Sequence, residues 1–344
     1  MKGSNFAVNN KILSLISEID GFRGSWKALK SLKPEALLAL QHVATIESIG
    51  SSTRIEGVRL TDLEVEKLLK DLEPRSFSSR DEEEVAGYSK AISLVFESFE
   101  DIEITENYIK QLHKVLLQYS SKDERHRGEY KKFPNNVEAF DRDGVSVGVI
   151  FETATPFETP AMMEELVRWT SENLKKKDLH PVIVIAIFVV HFLAIHPFQD
   201  GNGRLSRILT TLLLLKSNYE YIPYSSLEKV VEENKADYYL ALRKTQSDIE
   251  NSMVIWIEFF LEMFKKQKDN LFAKLEKEHT LMKLPEISAA ILREVKERGT
   301  ITISQIEILT KANRNTIKVR LRELVKDGFL EMMGKGKGVR YKIK

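Results

Sequence analysis

The sequence predicts a mainly α-helical protein, and two patterns support this prediction. Apolar residues recur at helical spacing along much of the chain, as in Ile12–Leu32 and Ala36–Ile49. An apolar run broken only by His191 extends over Val182–Ile195, directly after Pro181, which suits the first position of a helix. Because this run is shorter than the ~20 residues of a membrane span, we expect a buried central helix and no membrane partner.

Smaller elements follow from turn and capping signals. Thr61 and Glu64 form a capping box before the short helical segment VEKLLKDL. The segment NVEAFDRDGVSVGVIFE predicts a β-hairpin around the turn Asp143-Gly144. Thr159-Pro160 then begins a helix that runs toward Leu174. The fold class is therefore mainly α with a small β-hairpin.

The composition excludes some kinds of site. The chain has 344 residues, of which 42% are hydrophobic and 30% charged, which suits a globular protein of two or three domains. It contains no cysteine, so disulfides, a thiolate nucleophile and cysteine-ligated metal sites are excluded. The N-terminus has no unbroken apolar stretch and no small-residue cleavage site, so we expect no signal peptide and a cytoplasmic location.

The C-terminal segment differs from the rest in charge. Residues 284–344 contain 14 Lys and Arg against 7 Asp and Glu, a net charge of +7, whereas the rest of the chain has a net charge of −6. Pro285 marks the boundary, and three helices and a hairpin follow, in an order that resembles a winged helix-turn-helix domain. Asn313 suits the N-cap of the third helix. The basic side chains of that helix and the hairpin are Arg314, Lys318, Arg320, Arg322, Lys335, Lys337 and Arg340.

Two interpretations of this basic segment stay open. The segment binds DNA phosphates, or it packs against the body or against a second subunit.

The stretch HPFQDGNGRLSR, residues 196–207, concentrates polar groups between two apolar runs. Pro197 ends the preceding helix and leaves His196 at the mouth of a loop. Gly201 and Gly203 allow backbone N–H groups to converge at the start of the next helix, which is an anion site. Arg204 and Arg207 can each form paired hydrogen bonds with phosphate oxygens, and Asp200 offers a hard oxygen ligand to Mg²⁺. Together these residues indicate transfer chemistry on a nucleotide.

This stretch resembles the Fic-domain signature His-x-Phe-x-(Asp/Glu)-Gly-Asn-Gly-Arg-x-x-Arg at every specified position. The resemblance extends over roughly residues 30–265. It implies a Fic-type helical bundle with a hairpin flap. It also implies transfer of AMP from ATP to a Tyr, Thr or Ser hydroxyl of a target protein, with release of pyrophosphate.

The resemblance assigns roles to the motif residues. It makes His196 the general base and Asp200 the ligand of an Mg²⁺ ion that bridges the α- and β-phosphates of ATP. It places Asn202 on the α-phosphate and the arginines on the β- and γ-phosphates. The residues that would contact the nucleotide are Glu56, His191, Gly201, Asn202, Gly203, Arg204, Ser206, Arg207, Tyr238, Tyr239 and Gln246.

Several of these assignments have a structural alternative. Tyr238 and Tyr239 could equally form the core, since one face of their helix must be buried. His191 could make a structural hydrogen bond inside its helix instead of lying beside the nucleotide.

The hairpin has two interpretations. As a flap, it would grip an extended target segment by adding a strand, with Val149 and Ile150 in contact with the target. As a plain structural hairpin, it would have no contact with a target.

The stretch STRIEG, residues 52–57, resembles the (Ser/Thr)-x-x-x-Glu-(Gly/Asn) motif of the inhibitory helix in Fic proteins. The resemblance makes Glu56 the partner of Arg207, at the place where the γ-phosphate of ATP would bind. The alternative is that Glu56 is an exposed helix residue.

The expected domain organisation has four parts. Residues 1–104 form an N-terminal helical region with the inhibitory helix near 46–57, and residues 105–265 form the catalytic core. Residues 266–283 form a linker helix, and residues 284–344 form the winged helix-turn-helix domain.

The function most consistent with the sequence is a protein adenylyltransferase that is autoinhibited by Glu56 and uses ATP and Mg²⁺. Two alternatives are a de-AMPylase that uses the same site and a nucleotide-sensing DNA-binding regulator. The expected partners are a target protein, which includes the protein itself, together with DNA and a second copy of the chain in a homodimer.

Overall fold

The computed structural model describes residues 6–29, 34–70, 77–135, 137–140, 146–282, 284–334 and 336–344. Helices dominate this part of the chain. They are α1 (Asn10–Leu29), α2 (Pro34–Ile55), α3 (Asp62–Lys70), α4 (Arg80–Ser98), α5 (Glu106–Leu116), α6 (Thr159–Lys176), α7 (Pro181–Ile195), α8 (Asn202–Lys216), α9 (Leu227–Glu233), α10 (Lys235–Gln246), α11 (Ile249–Met282), α12 (Glu286–Arg298), α13 (Ile303–Thr310) and α14 (Arg314–Lys326). The strands are β1 (Val137–Phe140), β2 (Ser146–Phe151), β3 (Leu330–Met333) and β4 (Arg340–Ile343). The expected mainly α fold is confirmed.

Helices α7 and α8 form the centre of the first compact unit, Met1–Leu271. Nearly every side chain of both helices is buried, and α7 packs between α6 and α8. The indole N–H of Trp256 donates a hydrogen bond to the carbonyl of Ala186, 2.7 Å away, which fixes α11 against α7. Because both helices are buried, the loop between them has a rigid support.

None of the described helices combines the length and the apolar character that crossing a membrane requires.

Helix α2 reaches the α7–α8 loop from the N-terminal side, packed on α4 and α9. Arg54 anchors the C-terminal end of α2. Its guanidinium donates two hydrogen bonds to the carboxylate of Glu232, at 2.7 and 3.0 Å, and forms an ion pair with Asp62 at 2.9 Å. The helix ends at Ile55, and Gly57 follows with φ +107°, a conformation that favours glycine. Glu56 therefore lies in the turn directly after the helix.

Strands β1 and β2 form an antiparallel hairpin with two register shifts, and Val149 lies opposite Glu138. The expected Asp143-Gly144 turn lies outside the described residues.

The second compact unit, Phe272–Lys344, contains three helices followed by the β3–β4 hairpin, the element order expected from the sequence. Its core lies between α12, α14 and the hairpin. Ile301 and Tyr341 exchange backbone hydrogen bonds of 2.9 Å, which fix the start of α13 to β4. Lys335 lies outside the described residues. Residues 266–282 of the expected linker helix form the C-terminal half of α11.

A close approach of two helices depends on Gly87 of α4. A Cβ atom at this position would overlap the backbone carbonyl oxygen of Leu116 in α5. The two helices could not keep their separation with any larger residue.

We expect Gly87→Ala to lower the free energy of unfolding of the first unit by about 1–3 kcal/mol, as overpacking does. Urea unfolding monitored by tryptophan fluorescence measures this free energy, because all three tryptophans lie in the first unit. The matched control is Gly21→Ala in α1, where a Cβ meets nothing within 4 Å. The control should be neutral or stabilising by up to about 1 kcal/mol. Equal effects of the two changes would contradict the packing role of Gly87.

Candidate active site

The loop between α7 and α8 is shaped by two left-handed residues. His196 ends α7 with φ 51°, and its N–H donates to the carbonyl of Phe192 at 2.9 Å. Gly201 precedes α8 with φ 79°. The first-turn N–H groups of α8 therefore face the loop without intrahelical partners, which makes this helix end a site for anions.

Asn202 clamps the loop from inside. Its side chain accepts from the N–H of Phe198 at 2.9 Å and donates to the carbonyl of the same residue at 2.7 Å. Asn135 adds a second clamp, since its amide donates to the carbonyls of His196 and Phe198 at 3.2 and 2.6 Å. The Asn202 side chain, expected on a phosphate, is thus buried and holds the loop in this structure.

Lys131 connects this clamp to the hairpin. Its buried ammonium donates to the carbonyl of Ile195 at 3.0 Å, to Asn135 at 2.8 Å and to the hydroxyl of Thr153 at 2.9 Å. Burial lowers the pKa of Lys131 to about 8. Thr153 lies two residues after β2, so the base of the hairpin and the end of α7 share one hydrogen-bond network.

Two histidines flank the loop in neutral form. Nδ1 of His196 lies 3.3 Å from the carbonyl of Leu193, which only accepts, so Nδ1 bears the proton and the lone pair is on Nε2. His113 accepts from the N–H of Gly128 at 2.8 Å, donates to the carbonyl of Asp200 at 2.9 Å, and stacks on Phe198. Burial lowers the pKa of each histidine to about 4.

Asp200 and Arg204 belong to a ring of alternating charges. The carboxylate of Asp200 forms ion pairs with Arg204 at 3.0 Å and with Arg80 at 3.1 Å. The carboxylate of Glu84 pairs with the same two arginines, at 2.8 Å with Arg204 and at 2.7 Å with Arg80. Burial would raise the pKa of the Asp200 carboxyl, but Arg204 and the N–H of Gly201 lower it. Arg204, expected on phosphates, is 2% exposed and is held by the two carboxylates.

The donor set fits a loosely held Mg²⁺ ion. Within the described ranges, no group of three or more Asp, Glu, His or Cys side chains could cage a metal. Asp200 offers one carboxylate that is 31% exposed, and its Oδ2 faces the cationic Arg80. A single carboxylate suits Mg²⁺ that is held mainly by phosphates and water.

Arg207 is the second arginine of the motif, and it contacts Glu56, as the resemblance implies, and also Ser52. Its guanidinium donates to the Ser52 hydroxyl at 2.7 Å, to the Ser52 carbonyl at 2.9 Å and to Oε1 of Glu56 at 2.7 Å. The Arg207 side chain is 9% exposed and that of Glu56 is 32% exposed. One nitrogen of the guanidinium, Nη1, is buried without a hydrogen-bond partner.

The Glu56 carboxylate also lies against the N-terminus of α8. A Cβ atom on Gly203 would overlap its Oε1, so this carboxylate fills the space beside the first-turn backbone. Burial would raise the pKa of Glu56, but Arg207, with Arg204, lowers it below its ordinary value. The side chain of Glu56 therefore occupies the anion position of this helix as a carboxylate.

The remaining expected site residues lie around this centre. Ser206 donates to the carbonyl of Gly203 at 2.7 Å. Tyr238 is buried and borders a cavity that Arg207 also lines, and burial raises its pKa to about 12. Tyr239 is 41% exposed. Burial lowers the pKa of His191 to about 4.

Three further positions complete the expected set. Gln246 is the last residue of α10. The backbone of Val149 and Ile150 lies in β2, and their side chains are outside the described part of the structure.

Several residues that build the site were not predicted from the sequence. Ser52 had a usable signal, because it precedes Glu56 by four residues on a helix and so shares its face. Lys131, Asn135 and His113 had none, since their partners are distant in sequence. The roles of Arg80 and Glu84 were not predicted either, since their partners Asp200 and Arg204 lie 120 positions further along the chain.

The fold and the loop define a class, a mainly helical protein with an anion site between two buried helices. Residues 103–214 match the model of the Fic/DOC family. A protein of Drosophila sechellia named protein adenylyltransferase Fic is 31% identical over 209 residues, which is 60% of this chain and 37% of that protein. The chain thus spans well under half the length of this curated relative.

Two solved structures share the fold. The crystal structure of a Fic family protein from Desulfovibrio desulfuricans has a TM-score of 0.64 at 22% identity, over 98% of this chain and 97% of that one. A Fic domain containing signaling protein from Bacteroides thetaiotaomicron has a TM-score of 0.61 at 26% identity, over 78% of this chain and 97% of that one. The segment 103–214 thus resembles a Fic domain, and the chain shares the fold of these two structures.

We expect His113 and His196 to remain neutral throughout pH 5–8, because burial lowers both pKa values to about 4. The unfolded chain binds these protons near pH 6.5, so the free energy of unfolding should fall as the pH decreases from 6.5 toward 4. NMR titration of the two imidazoles measures their pKa values directly. Midpoints near 6.5 would contradict the burial of the site.

Proposed function

We propose that this protein is an adenylyltransferase that moves AMP from ATP to a hydroxyl of a target protein. The proposal rests on the Glu56 carboxylate, which fills an anion position made by Arg207 and the N-terminus of α8. A site that holds a carboxylate with these donors suits a phosphate of the same charge sign. The name of the Drosophila relatives, protein adenylyltransferase Fic, supports the same activity.

His196 takes the proton in the proposed mechanism. Its Nδ1–H is directed to the Leu193 carbonyl, so Nε2 can accept the proton of the target hydroxyl. The hydroxyl oxygen then forms a bond to the α-phosphorus of ATP, and the bond from that phosphorus to the pyrophosphate oxygen breaks. Such a general base contributes about 10²- to 10⁴-fold to the rate. Because the pKa is about 4, the base is available at any pH above 5.

The remaining groups of the site would stabilise the negative charge that develops on the phosphates. The first-turn N–H groups of α8 and the Arg207 guanidinium face the position for the phosphates, where fixed dipoles stabilise developing charge. Arg204 holds Asp200, which would bind Mg²⁺, and the ion would neutralise phosphate charge. Asn202, Asn135 and Lys131 keep the loop in one shape.

Glu56 makes the described state an inhibited one. Its carboxylate bonds Arg207 and lies against Gly203, so a γ-phosphate could reach neither group while Glu56 remains. ATP would then bind with its α-phosphorus displaced from His196, and small displacements reduce the rate strongly. The largely buried Arg207 makes the pair costly to break without a replacement anion.

The hairpin is the proposed place for the target. In the described sheet, β1 and β2 pair only with each other, so each strand has an outer edge. An extended target segment could add to such an edge through backbone hydrogen bonds, with Val149 and Ile150 along it. This mode would present a hydroxyl to His196 with little demand on the target sequence.

We expect Glu56→Gly to raise AMP transfer, including transfer to the protein itself, by about tenfold or more, because it frees Arg207 and the α8 N-terminus. Labelling with α-³²P-ATP followed by electrophoresis measures the transfer. The matched control is Glu35→Gly, an exposed change in the first turn of the same helix. Glu56→Gly with Arg207→Ala should be inactive. If Glu56→Gly is no more active than wild type, the inhibitory role is wrong.

The C-terminal unit supports a second function, binding to duplex DNA. The unit has a net charge of +7 over residues 284–344, and α14 exposes basic side chains. Arg314 and Arg320 form ion pairs with Glu307 and Glu323, whereas Lys318 and Arg322 are exposed on the same helix. A basic third helix in this order suits the major groove.

We expect the protein to bind duplex DNA with an affinity that falls as the salt concentration rises. The slope of log affinity against log salt concentration should reflect the number of phosphate contacts. Lys318→Ala and Arg322→Ala should each weaken binding and reduce the salt slope by about 1. Fluorescence anisotropy with a labelled duplex measures both quantities. Lys296→Ala, an exposed change on α12, is the control. Undetectable binding at low salt would exclude this function.

A further inference from the structure

The charge ring at the start of α4 involves Asp200 in an interaction that the motif does not contain. Arg80, the first residue of α4, donates to Oδ2 of Asp200 at 3.1 Å and through Nε to Glu84 at 2.7 Å. Arg204 closes the ring from the other side at 3.0 and 2.8 Å. Asp200 thus has one cationic partner on each oxygen.

The two arginines of the ring differ sharply in exposure. The Arg204 side chain is 2% exposed, whereas the Arg80 side chain is 49% exposed. The buried charge of Arg204 needs Glu84 and Asp200 as its partners, so Arg204 stays between them. Arg80 can turn into solvent at small cost, since an exposed ion pair contributes little. The exchangeable cation of the ring is therefore Arg80.

We propose that Arg80 competes with a divalent cation for Oδ2 of Asp200 and so sets the metal affinity of the nucleotide site. The inference rests on the proposed function, because it takes Asp200 as the metal ligand. Oδ1 of Asp200 is already engaged by Arg204 and by the N–H of Gly201, so the incoming cation must use the oxygen that faces Arg80. Arg80 is a positioning residue in this role and has no contact with the reacting atoms.

The contacts of the Arg80 side chain allow it to leave Asp200 and still keep a carboxylate partner. Its guanidinium stays cationic, because arginine is not deprotonated in proteins. When a metal displaces Arg80 from Asp200, its bond to Glu84 remains available. The displaced guanidinium thus keeps one carboxylate and is not left unpaired.

The test is Mn²⁺ affinity in the presence of saturating ADP, measured by electron paramagnetic resonance. ADP provides α- and β-phosphates and has no γ-phosphate to meet Glu56. We expect Arg80→Gln to bind Mn²⁺ about two- to fivefold more tightly than wild type, because the competing ion pair is gone. ADP affinity without metal should not change.

Three further variants complete the experiment. Arg80→Met, which keeps the aliphatic stem, is a second charge-removing change and should give the same result. Arg80→Lys keeps a cation and should stay near wild type. Lys90→Gln removes an exposed charge from the same helix, far from the ring, and should have no effect. Thermal unfolding confirms that each variant is folded.

The outcomes separate this inference from the proposed function. If wild type and Asp200→Asn bind Mn²⁺ equally, Asp200 is not the ligand, and both the metal assignment and the role of Arg80 are wrong. If Asp200→Asn abolishes binding while the affinity of Arg80→Gln and Arg80→Met equals or falls below that of wild type, only the role of Arg80 is wrong. Tighter binding by both variants, with Arg80→Lys unchanged, supports the competition.

Discussion

The contact of Glu56 with Arg207 and the N-terminus of α8 is the interaction on which the described state of this site depends. Arg207 lies almost fully inside the protein, so its charge needs a partner there. Glu56 supplies that partner, and Ser52 supplies two more acceptors from the same helix. The end of α2 is fixed in turn by Arg54 on Glu232 and Asp62. The proposed inhibited state therefore depends on an anchored helix whose terminal turn carries one carboxylate.

A second constraint is the burial of the loop that the carboxylate faces. Helices α7 and α8 are buried along almost their whole length, and the loop between them is clamped by Asn202, Asn135 and Lys131. This arrangement places a neutral His196 and the N–H groups of α8 in fixed positions before any substrate arrives. The proposed AMP transfer requires such preorganisation for the stabilisation of developing charge. The same burial holds Arg204 between Glu84 and Asp200, so the two motif arginines differ in what they can do. Arg207 faces the proposed phosphate position, and Arg204 orients the proposed metal ligand.

Much of this arrangement could be predicted from the sequence, since its signals are local. Pro197 predicted the end of α7, and the glycines predicted the anion site. The resemblance of STRIEG to the inhibitory motif implied a Glu56–Arg207 pair, which is present at 2.7 Å. The networks of Lys131 and Arg80 could not be predicted, because they join residues more than 60 positions apart in sequence. Asn202 shows a different limit. Its motif position implied a phosphate contact, whereas its buried amide bonds the backbone of Phe198, a geometry that only the folded loop reveals.

The affinity for ATP relative to ADP, measured by isothermal titration calorimetry, tests the central claim most directly, because the two ligands differ only in the γ-phosphate. If Glu56 occupies the position of that phosphate, the wild-type protein should bind ATP no more tightly than ADP. Glu56→Gly should then bind ATP about tenfold more tightly than ADP, since the γ-phosphate gains Arg207 and the α8 N-terminus. Glu35→Gly should behave as wild type. A wild-type protein that already prefers ATP by such a factor, with no change in Glu56→Gly, would contradict the claim that Glu56 blocks this site.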